Sequence, residues 1–129
     1  MSFSIVLVDS SAWIEMLRPP STSPTAKRVK GLLEDGRAAL CDVVILELWH
    51  GARGKRERDA LAEMQRVLTC LTINGAVWLR SWRLAQQARQ SGLTCPTVDL
   101  LIAACAFEYG VEIEHNDRHL ALLSKLREA

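Results

Sequence analysis

Four acidic residues set far apart in the chain, Asp9, Glu47, Asp99 and Asp117, each fall where an element begins or ends, which makes them candidates for one site. Asp9 closes the run "IVLV", Asp117 follows "VEIEH", Asp99 comes three residues after Pro96, and Glu47 lies inside "VILELW". Carboxylates gathered in a partly apolar cleft repel one another and raise each other's pKa unless a cation neutralises them. Oxygen-only ligands select a hard ion, Mg²⁺ or Mn²⁺, which takes carboxylates plus waters and then a substrate phosphate. Such an ion activates water and stabilises charge on phosphate oxygens, so phosphodiester hydrolysis is the chemistry that follows.

Each acid also has a plainer explanation. Asp9 and Asp117 could cap the helices that follow them, Asp99 could complement a helix dipole, and Asp42 reads as a cap and nothing more. Glu47 resists that explanation, because a carboxylate among apolar neighbours is costly without a partner or an ion. The joint pattern, with all four at the proper end of their elements, favours a common site.

The elements that must position these acids alternate along the chain. Ile5 to Val8 is a short apolar run, the pattern of a strand buried on both faces in a parallel sheet. Ser10 or Ser11 can cap a helix carrying Ala12, Trp13, Met16 and Leu17, which stops at Pro19-Pro20. Ser23-Pro24 opens a second helix over residues 24 to 35, ahead of Gly36. Ala38 to Cys41 is a second strand, followed by a helix through "VVILELWHGA" and an amphipathic helix over residues 55 to 69. "CLTI" is the third strand, and Trp78, Trp82, Ala85 and Arg89 mark the next helix. Thr97 to Tyr109 is apolar all round and therefore central; Gly110 stops it. "VEIEH" alternates as a fourth strand, and a last helix carries Leu120, Leu123 and Leu126. Alternation of this kind predicts an α/β fold with a parallel sheet covered on both faces. Parallel strands end on one side, so Asp9 and Asp117 share an edge with the first turns of the helices bearing Glu47 and Asp99, and ligands sit at that edge in such sheets.

Length and composition set the frame. The 129 residues, 49% of them hydrophobic and 24% charged, fit a single domain over residues 1–129 with one core. The first apolar run is too short for a signal peptide or a membrane helix, so a cytoplasmic protein without membrane contact is expected. Four scattered cysteines, Cys41, Cys70, Cys95 and Cys105, signal neither a disulfide framework nor a zinc site and read as reduced thiols. A formal net charge of +1 decides nothing about nucleic acid.

At the acids the sequence resembles the PIN-domain ribonucleases, and most closely the small VapC-type toxins of bacterial toxin–antitoxin pairs. The resemblance spans nearly the whole chain through "VDSSAWIEML", "ILELWHGA", "PTVDLLIAACAFEYG" and "HNDRHL", in that order. It implies that the acids matching Asp9, Glu47, Asp99 and Asp117 bind Mg²⁺ or Mn²⁺ for RNA cleavage, with the hydroxyl matching Ser11 assisting. It also implies a three-layer α/β/α sandwich with a central parallel sheet of four to five strands, a homodimer, and a cognate antitoxin that blocks the cleft. The family usually adds a fifth short strand after the last helix, whereas "LLSKLREA" shows no apolar strand.

Around this centre, Asn116 matches the family's polar neighbour and could hold a metal-bound water or the acid, or serve as a turn residue. "RGKRER", residues 53 to 58, is by default a solvated helix face; alternatively Arg53 and Lys55 hold RNA phosphates. Trp13 and Leu17, beside Asp9, are the candidates for an apolar groove that accepts an antitoxin helix. Trp78 and Trp82, four residues apart, read as core or dimer contacts. His115 is favoured as a structural or edge residue, and His50 and His119 are weaker still.

Three other readings compete. A PIN-domain nuclease of RNA processing without an antitoxin is separated from a toxin by growth arrest on expression. A Mg²⁺-binding receiver domain would need paired acids after strand one and a late lysine near the site, but strand one ends in Asp9 alone and Lys125 lies inside a helix. An inactive binding module would have had to retain four uncompensated acids.

Overall fold

The short apolar runs become strands because helices bury them from both sides. The computed structural model describes residues 4–127. Its strands are β1 (Val6–Val8), β2 (Ala38–Cys41), β3 (Thr69–Leu71) and β4 (Glu112–Glu114). The helices are α1 (Ser10–Leu17), α2 (Pro24–Glu34), α3 (Asp42–Gly51), α4 (Gly54–Val67), α5 (Gly75–Gln90), α6 (Thr97–Tyr109) and α7 (Arg118–Ser124). All strand pairs are parallel, in the order β3-β2-β1-β4. The fold is the expected three-layer α/β/α sandwich. Its sheet has four strands among the described residues, so the fifth strand allowed by the family pattern is not formed through residue 127.

Topology fixes where a site can lie. The chain steps from β1 to β2 to β3 in one direction through α1–α4, then returns through α5 and α6 to place β4 on the other side of β1. Right-handed crossovers in opposite directions put the two helix groups on opposite faces. The reversal occurs between β1 and β4, and the crevice beyond their carboxyl ends is the place such sheets reserve for ligands. Val6 is in register with both Ala38 and Glu112, and the Asp9 N–H donates to the Glu114 carbonyl at 2.9 Å, extending the β1–β4 ladder to the first acid.

The core follows the apolar pattern. Leu7, Val8, Leu40, Val44, Ile102, Leu120 and Leu123 are buried, and α6 buries five consecutive residues from Ile102 to Ala106. That burial explains its lack of a polar face and makes it central, packed on α5, α7, α3 and β4. Gly110, at φ 67°, ends α6 in a left-handed cap that a side chain would strain. No described helix is long and apolar enough to cross a membrane. The four cysteines are free; Cys41 and Cys105 are buried, while Cys70 is exposed.

Several local expectations are corrected. Asp9, rather than Ser10 or Ser11, is the N-cap of α1, its carboxylate accepting from the Ser11 N–H at 3.0 Å. Asp42 is not a cap: Cys41 holds that position, and the Asp42 carboxylate instead accepts from the Ile73 N–H at 2.8 Å, tying α3 to the residues after β3. β3 spans Thr69–Leu71, one residue earlier at its start and two at its end than "CLTI" suggests. Trp13 does not line a surface groove. It is fully buried among the core residues, because α1 turns its Ala12–Trp13 side inward as it leaves β1. Trp78 and Trp82 are exposed, which removes the core reading for them.

Trp13→Ala is expected to cost about 3–5 kcal/mol of stability in urea unfolding, the range for emptying a large buried aromatic site. Trp13→Phe costs less, since it also removes an indole N–H that is buried without a hydrogen-bond partner. A loss below about 1 kcal/mol for the alanine variant would contradict this placement.

Candidate metal centre

Each acid arrives at the crevice by a different local device. Asp9 is delivered by the end of β1 and is nearly inaccessible, at 3% exposure. Its Oδ2 accepts from the Ser11 N–H at 3.0 Å and from the Ser11 hydroxyl at 2.6 Å. That same Ser11 Oγ accepts from the Asn116 N–H at 2.9 Å, so one hydroxyl joins the start of α1 to the loop after β4. Asp117 caps α7, its Oδ1 accepting from the His119 N–H at 2.7 Å and the Leu120 N–H at 3.0 Å. The Asp117 N–H in turn donates to His115 Nδ1 at 3.3 Å, which gives His115 a place in the loop's own structure.

Asp99 lies in the first turn of α6 and is 7% exposed. Glu47 is half-buried on α3, where its Oε1 accepts from the Ser10 hydroxyl at 2.9 Å. Ser10 reads from the sequence only as a candidate helix cap, not as a partner of Glu47. Its signal was only adjacency to Asp9, and the packing of α1 on α3 is what brings it to Glu47.

The electrostatics show that the four acids share one field. Burial first, then the charges of Asp117, Asp9 and Glu47, push the Asp99 carboxyl up to about 7. A helix N-terminus is worth about 0.3–1 kcal/mol to a carboxylate, too little to offset burial and three like charges. Glu47 is also raised, chiefly by burial and then by Asp9 and Asp117, against the lowering effect of the Ser10 hydrogen bond. Predicted residues Asp9, Ser11, Glu47, Asp99 and Asp117 are thus brought together.

Two atoms report what the cluster lacks. Asp9 Oδ1 and Asp99 Oδ2 are buried and have no hydrogen-bond partner. Buried carboxylate oxygens left in that state are costly, and a hard divalent cation is the partner that satisfies several at once. The residues present therefore fit Mg²⁺ or Mn²⁺. A residue dismissed in the sequence, His119, joins them: Asp99, Asp117 and His119 each place one ligand atom within 4.8 Å of the others. Its signal was its position two residues after Asp117, where a capping turn points the side chain back along the helix.

The remaining candidates lie around this centre. Asn116 is exposed and meets it through its backbone N–H rather than its amide. Arg53 and Lys55 are exposed at the start of α4; the Arg53 N–H donates to Glu57 at 2.8 Å and Lys55 pairs with Asp59 at 2.6 Å. Leu17 does line a groove, with Ile14, Arg18, Glu47, Leu48 and Leu61. Arg18 braces one side, pairing with Glu57 at 3.3 Å and donating to the Gly51 carbonyl at 2.9 Å. Glu47 belongs both to this groove and to the acid cluster.

Comparison with known proteins agrees with this fold. A family model described as the PIN domain matches residues 6–126. Ribonuclease VapC11 of Mycobacterium tuberculosis is 30% identical over 95% of this chain and 93% of its own. Among solved structures, the FitAcB crystal structure from Neisseria gonorrhoeae superposes with a TM-score of 0.73 at 19% identity, covering 94% of each chain. VapC20 of Mycobacterium tuberculosis, described as a toxin that cleaves the sarcin–ricin loop, gives 0.68 at 17% identity over 91% of this chain and 94% of its own.

A carboxyl whose folded pKa lies above its unfolded value of about 3.9 binds its proton more tightly in the folded state. The stability it lends is present below pH 4 and is lost as the pH rises through about 7. In EDTA, Asp99→Asn is therefore expected to raise the melting temperature at pH 8 relative to wild type, with the gap closing by pH 4. A gap independent of pH would contradict the crowding of charge at this site.

Proposed function

Because the chain belongs to the PIN-domain family and stands among its VapC-type members, we propose that it is a metal-dependent endoribonuclease toxin, neutralised by a cognate antitoxin. The observation that carries the catalytic part is the pair of buried, unpartnered oxygens, Asp9 Oδ1 and Asp99 Oδ2, within a cluster of four acids. Asp9, Glu47, Asp99 and Asp117 would hold Mg²⁺ or Mn²⁺. When bound, such an ion acidifies water and stabilises negative charge on the scissile phosphate.

The chain's own groups do the positioning. Ser11 fixes Asp9 by two hydrogen bonds and fastens the Asn116 loop to it. Ser10 orients Glu47 through Oε1. Arg53, Lys55 and Asn116, all exposed, are the groups offered to RNA phosphates.

Antitoxin binding is assigned to the Leu17 groove. An apolar segment seated against Ile14, Leu17, Leu48 and Leu61 would lie against Glu47 and so beside the acids, which supports neutralisation by obstruction. The homodimer is assigned to a different face, the exposed Trp78, Leu79 and Trp82 of α5, since a second copy would remove these apolar side chains from water.

Antitoxin-free protein is expected to cut RNA with Mn²⁺ or Mg²⁺ and not with EDTA, and Asp99→Asn to lower the rate by about 100-fold or more, the scale of losing one electrostatic stabiliser. No cleavage of total cellular RNA by folded, metal-supplied protein would count against the nuclease. Leu17→Glu is expected to weaken binding of the cognate antitoxin by about tenfold or more while leaving cleavage intact, measured by calorimetry; unchanged affinity would move the antitoxin elsewhere.

A further inference from the structure

Among the described residues, His119 is a basic side chain whose ring nitrogen lies within 4 Å of two carboxylates of the acid cluster. Its Nδ1 lies 3.6 Å from Asp99 Oδ2 and 3.8 Å from Asp117 Oδ1. Both separations are too long for hydrogen bonds. Asp99 Oδ2 accordingly remains buried and unpartnered although a ring nitrogen faces it. Two donors on one divalent ion lie no further apart than about 4.2 Å, twice a metal–ligand bond of about 2.1 Å. The separations of 3.6 and 3.8 Å from His119 Nδ1 both fall inside that limit, so one cation could bridge the ring nitrogen to either carboxylate oxygen.

We propose that His119 Nδ1 is a metal ligand, which makes the centre a mixed nitrogen–oxygen site that favours Mn²⁺ and later first-row divalent ions over Mg²⁺. This inference rests on the metal-dependent reading of the acids. The chemistry is that of donor softness: imidazole suits transition ions, whereas Mg²⁺ gains little from exchanging an oxygen for a nitrogen. The side chain is free for this role because its capping duty is discharged by the backbone, the His119 N–H donating to Asp117 Oδ1 at 2.7 Å. Replacing the imidazole therefore leaves the α7 cap in place. Asp117 is fixed by that cap and Asp99 by the first turn of α6, so the ligand atoms are held by two separate helices whose packing sets their spacing.

The test is binding of Mn²⁺ and Mg²⁺, each alone, to metal-free protein, together with the electron spin-echo modulation of bound Mn²⁺. Wild type is expected to show ¹⁴N modulation from a directly bound nitrogen, and His119→Gln to lose it. In that variant Mn²⁺ affinity falls about tenfold or more, while Mg²⁺ affinity changes by less than about threefold. If His119→Gln does not fold, His119→Asn replaces it, and the wild-type spectrum tests the nitrogen ligand without any variant. Mn²⁺ bound without ¹⁴N modulation, modulation that survives in the folded variant, or equal losses for the two ions would each overturn the inference and leave the four-acid nuclease standing. Failure of wild type to bind either ion would overturn both.

Discussion

Mutual repulsion among carboxylates at one sheet edge is the constraint around which this molecule is arranged. Burial and three neighbouring negative charges bring Asp99 to about 7, and Glu47 is driven the same way. Such a cluster persists only if each member is fastened by something other than its fellows. Asp9 is held by Ser11 and by the sheet ladder, Glu47 by Ser10, and Asp117 by two backbone N–H groups of α7. What is left over is two buried oxygens without partners, the part of the cluster that a cation would complete under the proposed function.

The sheet supplies the geometry that makes this possible. The strand order β3-β2-β1-β4 places the reversal of the chain between β1 and β4. Asp9 and the loop carrying Asp117 therefore leave adjacent strands at the same end, and Ser11 spans them. Capping does not exclude the proposed ligation. Asp9 and Asp117 both cap helices with one oxygen, and Asp9 still offers the other; the cap is the means by which the carboxylate is oriented.

The same arrangement separates surfaces by role. The groove at Leu17 shares Glu47 with the acid cluster, so whatever fills it bears on the site. The exposed tryptophans of α5 lie on the group of helices that the chain adds after its reversal, on the opposite face of the sheet from α1.

The chain's alternation of apolar runs and amphipathic stretches determined the α/β class, the parallel sheet and the elements carrying the four acids, because burial period and helix-ending residues are local properties. Burial on both faces makes "IVLV" a strand wherever it sits, and Gly110 ends α6 by its own backbone freedom. Partnerships between elements were not local and could not be read. Trp13 looked like a groove residue because one helix turn does not reveal which side meets the core. Asp42 looked like a cap because Ile73 is 31 residues away, and His119 looked idle because Asp99 lies on another helix. Sequence alone therefore determined which residues could do chemistry and at which end of the sheet. Only the tertiary structure decided which of them touch, because distances between side chains on different helices are set by packing and not by spacing along the chain.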